Sequence, residues 1–312
     1  MLTFWLVLLG LLLAGYFVLG GYDYGAQMLH PFLGRNAAIE AIGPFFLGNE
    51  VWLVAFAGVL FGAFPHLEGA LLPGFYPLIV AILVGVVLGS TAVQLRRRTR
   101  EHRVWDALIV VGGALPALSW GLVLGLLLRG APVTETFTPF VLLCGMTTLL
   151  LFAAHGAAFV ALRSAPPLAS RLGAILASTA GATAFAALLL TLFGTGASMT
   201  NPTTAAVISV LFATALALAR HYLSRGNHGR AFAATSGATL LPVLLVGAGH
   251  YPYVLVSSPG VRLTVHEAAA DGVTLQILTV FGIILVPVIL AYQAWSWWAF
   301  RGRTGARHPT YF

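Results

Sequence analysis

The sequence predicts an all-α, polytopic membrane protein of about nine transmembrane helices. Two observations carry this. Only 8% of the 312 residues are charged while 59% are hydrophobic, whereas a soluble domain carries roughly a quarter charged residues. So few charges could not cover a soluble surface of this size, so most of the surface must face lipid. The apolar residues also fall into runs of the about 20 residues that a bilayer core requires, broken by short arginine-bearing segments.

In chain order the runs are 3–24, 50–70, 74–95, 105–128, 137–162, 172–194, 203–220, 231–250 and 273–298. The first opens Met1-Leu2-Thr3-Phe4-Trp5, has no basic stretch before it, and outlasts a signal-peptide core, so an uncleaved helix is expected. Residues 25–49 follow as a longer connection with apolar faces around Phe32, Ile39 and Phe45, which reads as an amphipathic helix at the cytoplasmic interface. The seventh run is the shortest. Residues 251–272, with Pro252, Pro259 and Gly260, read as an outer loop, and Trp295, Trp297 and Trp298 ahead of Arg301 and Arg303 read as an interfacial belt closing the ninth helix. The whole chain is expected to form one membrane domain, with two four-helix bundles and one peripheral helix as its arrangement.

All 16 basic residues are arginine. With the N-terminus outside, fourteen lie on the cytoplasmic side: Arg35; Arg96, Arg97, Arg98, Arg100 and Arg103; Arg163 and Arg171; Arg220, Arg225 and Arg230; and Arg301, Arg303 and Arg307. Arg129 and Arg262 remain outside. This split is the positive-inside pattern, and it needs an odd number of spans. The net charge of +7 therefore reports orientation, and no nucleic-acid partner is expected. Cys144 is the single cysteine and sits in an apolar run, which excludes an intrachain disulfide or a thiolate metal site. No metal site is expected, because the histidines show no pairing at helical spacing.

Ionisable groups within membrane spans are costly and mark function. Asp23 ends the first run in Gly20-Gly21-Tyr22-Asp23-Tyr24-Gly25, where the glycines allow another helix close; a proton-handling or interface role is favoured over a purely structural one. In Gly48-Asn49-Glu50-Val51-Trp52, Asn49 suits a helix N-cap and Glu50 the first turn, a reading compatible with a functional one. His66 and Glu68 read as solvated loop residues, and mid-span His155 as an interhelical hydrogen-bonding group in preference to a haem ligand. No catalytic constellation is readable from local sequence.

Gly21-Tyr22-Asp23-Tyr24-Gly25, Phe32-Leu33-Gly34-Arg35, Ile42-Gly43-Pro44, Gly48-Asn49-Glu50-Val51-Trp52, Leu60-Phe61-Gly62-Ala63-Phe64-Pro65 and Gly74-Phe75-Tyr76, in that order and spacing, resemble the start of the smaller core subunit of cytochrome bd-type quinol oxidases. Tyr251-Pro252, Leu263-Thr264-Val265-His266 and Ala291-Tyr292-Gln293-Ala294-Trp295 resemble its last outer loop and ninth helix. The resemblance implies a heterodimer with a larger subunit holding haems b and d, which oxidises quinol and reduces oxygen to water in a prokaryotic cell membrane, electrogenically and without a proton pump. It allows small single-span accessory subunits and a structural quinone or lipid. This chain would carry no complete active site; Asp23, Asn49, Glu50, Trp52 and Asp106 are its candidate residues for proton access or the subunit interface. Two departures stand out: Leu47 and Gln94 occupy regions where the family commonly has acids. Leucine cannot relay a proton. A secondary transporter and a purely structural partner are the competing readings.

Overall fold

The computed structural model describes residues 1–98, 102–164, 166–257 and 261–302, with the side chains of Arg35, Arg97 and Val261 left aside. Arg100, Arg303, Arg307, Pro259 and Gly260 of the expectations above lie outside the described residues. Among the described residues, nine helices are long and apolar enough to cross a membrane. They are α1 (Leu2–Leu33), α3 (Phe46–Ala63), α5 (Tyr76–Leu95), α6 (His102–Arg129), α7 (Pro139–Ser164), α8 (Pro167–Leu192), α9 (Pro202–Ser224), α10 (His228–His250) and α12 (Gly272–Ala299). Short helices α2 (Arg35–Ile42), α4 (Pro65–Gly74) and α11 (Val265–Ala268) join them, and a hairpin of β1 (Tyr253–Ser257) and β2 (Val261–Thr264) adds a little antiparallel sheet.

Local chemistry sets the ends. Prolines open α8 and α9 at Pro167 and Pro202, where the missing N–H costs nothing. Asp271 caps α12, its Oδ1 accepting from the amides of Val273 at 2.9 Å and Thr274 at 3.0 Å. Thr264 and Glu267 form a capping box on α11.

Three boundaries differ from the sequence reading, each for a physical reason. The second apolar run breaks at Phe64-Pro65, because a proline disfavours helical backbone in the residue before it; α3 stops at Ala63, and His66 and Glu68 sit on α4 rather than in a loop. The seventh run, α9, extends to 23 residues. The first does not end at residue 24: α1 continues for 32 residues, through Pro31. At about 1.5 Å per residue it is about 48 Å long, more than the hydrocarbon core of about 30 Å requires. Of the apolar residues in 25–49, Phe32 is exposed while Ile39 and Phe45 are buried in the protein.

The core is built around α1, which packs on α2, α3, α6, α7 and α10. Close approach to α7 depends on glycine: a Cβ on Gly25 would lie 1.9 Å from the Phe152 carbonyl oxygen, and one on Gly156 2.3 Å from the Ala26 nitrogen. The small-residue pairing of membrane helices is thus met backbone to backbone. At the other extreme α12, whose main neighbour is α3, is only 11% buried over its most apolar window. Its outer surface carries Ile277, Phe281, Ile284, Val288 and Trp295.

Candidate functional site

One stripe of α1 is polar and buried. Tyr16, Asp23, Gln27 and His30 are separated by steps of seven, four and three residues, the spacings that return to one helix face. All four are buried, His30 completely.

The stripe divides into two hydrogen-bonded clusters. In the first, Asn49 of α3 is fully buried and its Nδ2 donates to Asp23 Oδ2 at 2.8 Å and to the Tyr22 hydroxyl at 2.7 Å, with the Leu19 carbonyl at 3.4 Å. Its Oδ1 accepts from Gln293 Nε2 of α12 at 3.2 Å, and Gln293 Oε1 accepts from Trp52 Nε1 at 3.2 Å. Reversing the Asn49 amide would set its oxygen against the Asp23 carboxyl and its NH2 against the Gln293 NH2, so the network itself determines the orientation. Aromatic rings close around this cluster: Tyr22 stacks on Phe159 at 4.0 Å, and Phe232 and Trp297 meet it edge-on. Asp23 Oδ1 and Gln27 Oε1 are buried with no hydrogen-bond partner among the described residues. Both are buried acceptors, where an unmade bond is costly.

The second cluster lies seven residues further along α1, about 10 Å at helical rise. Asp106 of α6 accepts from Arg96 Nε at 2.5 Å, and its Oδ1 is 3.2 Å from His30 Nε2. Arg96 Nη1 also donates to Asn36 Oδ1 at 3.2 Å. His30 Nδ1 faces the Gln27 carbonyl at 3.0 Å, which can only accept. Both ring nitrogens of His30 therefore point at acceptors.

The structure thus unites Asp23, Asn49 and Trp52 through Gln293, and places Asp106 in a neighbouring cluster. Glu50 points elsewhere: Ser90 Oγ of α5 donates to its Oε1, and it is half-buried beside the exposed Leu47, Val51 and Val54. Two expectations are corrected. Asn49 is not the N-cap of α3 and Glu50 is not in its first turn, because the helix starts three residues before Asn49 at Phe46; the Asn49 amide is used between helices instead. Leu47 and Gln94 are both exposed, so neither interrupts the buried stripe. Gln27, His30, Arg96 and Gln293 were not singled out from sequence. The seven-residue recurrence of Tyr16, Asp23 and His30 was the available signal, hidden by ending the first helix at residue 24.

His155 links three helices. Its Nδ1 is 2.7 Å from Thr235 Oγ1 of α10 and its Nε2 is 2.9 Å from the Val18 carbonyl of α1. With both nitrogens engaged, it does not fit as an axial haem ligand, which needs a free nitrogen lone pair. Among the described residues, no three of His, Cys, Asp and Glu gather as metal ligands do.

The fold and these clusters define a class: a multi-pass helical membrane protein with buried protonatable groups arranged along one central helix. Residues 1–300 match the family of cytochrome bd terminal oxidase subunit II, and the chain belongs to that family. It is 28% identical to the cytochrome bd ubiquinol oxidase subunit 2 of Bacillus subtilis (strain 168), across 98% of this chain and 97% of that one. It is 27% identical to the cytochrome bd-I ubiquinol oxidase subunit 2 of Escherichia coli (strain K12), across 96% and 94%. The bd oxidase from Geobacillus thermodenitrificans shares the fold, with a TM-score of 0.69 and 18% identity over 95% of this chain and 97% of that one. The protein is accordingly a subunit of a quinol-oxidising terminal oxidase, an oxidoreductase complex of the respiratory chain.

Proposed function

We propose that this chain supports a larger, haem-bearing partner subunit and leads protons toward it along the buried face of α1. The observation that carries the reading is the stripe itself. Arg96, Asp106 and His30 form a proton-holding cluster at one end, and Asp23 with Asn49 forms a carboxyl site two helical turns along. Gln27 lies between them with a buried oxygen that has no hydrogen-bond partner among the described residues. Buried ionisable groups of this kind mark proton relays in membrane proteins. Haems b and d in the partner would supply the electron transfer and oxygen reduction; this chain's residues would hold and pass protons and shape access. In the topology the arginines favour, the N-terminus is outside, the C-terminus is cytoplasmic, and the Arg96–Asp106 end of the stripe opens to the cytoplasm.

Glu50 supports the second half of the reading, the interface. A half-buried carboxyl within a span, beside exposed Leu47, Val51 and Val54, is better matched by a protein neighbour than by lipid. We place the larger subunit against the α3 face, with α12 peripheral to two four-helix bundles.

The test is Asp23→Asn, which keeps the shape and removes the protonatable group. Oxygen consumption by the purified complex is expected to fall about tenfold or more, with haem content unchanged. Wild-type turnover in Asp23→Asn would remove the route through this chain and leave a purely structural partner.

A further inference from the structure

A cationic cleft lies apart from the α1 stripe. Where α9 turns into α10, Arg225, Asn227 and His228 line an opening of about 620 Å3, with Leu162 of α7 and Arg301, just beyond α12, completing it. Gly226, at φ 69°, supplies the left-handed turn that brings these side chains round. Among the described residues, no acid lines it. Asn227 uses its Oδ1 to accept from the Arg230 amide at 3.4 Å, which leaves its NH2 as a donor for another group. The lining therefore offers two guanidinium groups and an amide donor, with the His228 imidazole beside them. Guanidinium forks match phosphate oxygens in a bidentate way.

The surroundings indicate where such a phosphate comes from. The Arg301 guanidinium lies over the Trp298 ring at 5.1 Å, and Trp298 and Trp295 are both exposed. Exposed tryptophan next to arginine at the end of a span marks headgroup depth. From the same corner α9 exposes Leu218, Leu211 and Val207, an apolar flank for acyl chains.

We propose that this cleft is a phosphate-binding site occupied by the headgroup of an anionic phospholipid. The site is independent of the proton route: no residue of the α1 stripe lines it.

The test uses the whole purified complex, delipidated in a neutral detergent and titrated with dioctanoyl phosphatidylglycerol, with binding read by native mass spectrometry. The complex is expected to retain the anionic lipid and to bind dioctanoyl phosphatidylcholine far more weakly. Arg225→Gln combined with Arg301→Gln is expected to weaken retention about tenfold or more, while Arg171→Gln, an exposed arginine outside the cleft, leaves it unchanged. Both lining arginines are themselves exposed, so the double variant is expected to assemble. Unchanged retention in the double variant, or equal binding of phosphatidylcholine, would overturn the anion site. Displacement of the lipid by an equal concentration of inorganic phosphate would overturn the lipid assignment and leave a soluble phosphate as the ligand.

Discussion

Asn49 shows how one neutral side chain organises a buried acid. It donates to Asp23 and Tyr22 and accepts from Gln293, so it joins α1, α3 and α12 at a single point. Replacing it with leucine leaves the Tyr22 hydroxyl and an Asp23 oxygen buried without that donor. Each such loss costs about 1–3 kcal/mol, so Asn49→Leu is expected to lower the thermal midpoint of the solubilised complex; an unchanged midpoint would contradict the arrangement. The choice of Asn49 and Asp23 was legible in the sequence, because polar groups stand out within apolar runs. Their pairing was not. A hydrogen bond between residues 26 positions apart depends on how two helices are rotated against each other, and no local spacing encodes that. Gln293 was invisible for the same reason. His30 is a different case: it falls within the 25–49 connection of the sequence reading, yet α1 runs on through Pro31 and buries the histidine.

At the scale of elements, the nine apolar runs were read correctly in number and order because hydropathy over about 20 residues is a strong signal. Their ends were less legible. Phe64-Pro65 is a breaker inside an apolar stretch, and the apolar signal simply continued across it into α4. The start of α12 illustrates an end decided by local chemistry. Hydrogen bonds from Thr274, side chain and then backbone, together with the Val273 amide, hold the Asp271 carboxyl below the usual carboxylate range. A group depressed on folding contributes its full stability above its unfolded value, about 3.9 for aspartate, and loses it as pH falls through the folded value. Asp271→Ala is therefore expected to lower the thermal midpoint at neutral pH, with the gap to wild type closing in acid. A gap of the same size at low pH would show that the carboxylate is not the cap.

For the molecule as a whole, burial grades from α7, 67% buried over its most apolar window, to α12, 11% buried. The helices around α1 form the buried interior, while α3 and α12 present apolar surface outward. The proposed orientation rests on arginine asymmetry. Arg262 follows the first hairpin strand and Arg98 follows α5, and both are exposed. An impermeant thiol reagent is expected to label Arg262→Cys on intact cells and Arg98→Cys only after permeabilisation, with half-buried Cys144 as the native background. The opposite pattern would invert the topology and turn the Asp106 end of the stripe to the outside.

This chain is expected to work only as a partner to pigment held elsewhere in a larger complex. The most direct measurement is a reduced-minus-oxidised absorbance spectrum of material purified gently through an affinity tag on this chain. The predicted result is strong haem absorbance that follows a co-purifying larger membrane subunit through every fraction. A colourless, single-chain preparation that carries a solute across liposome membranes would contradict it.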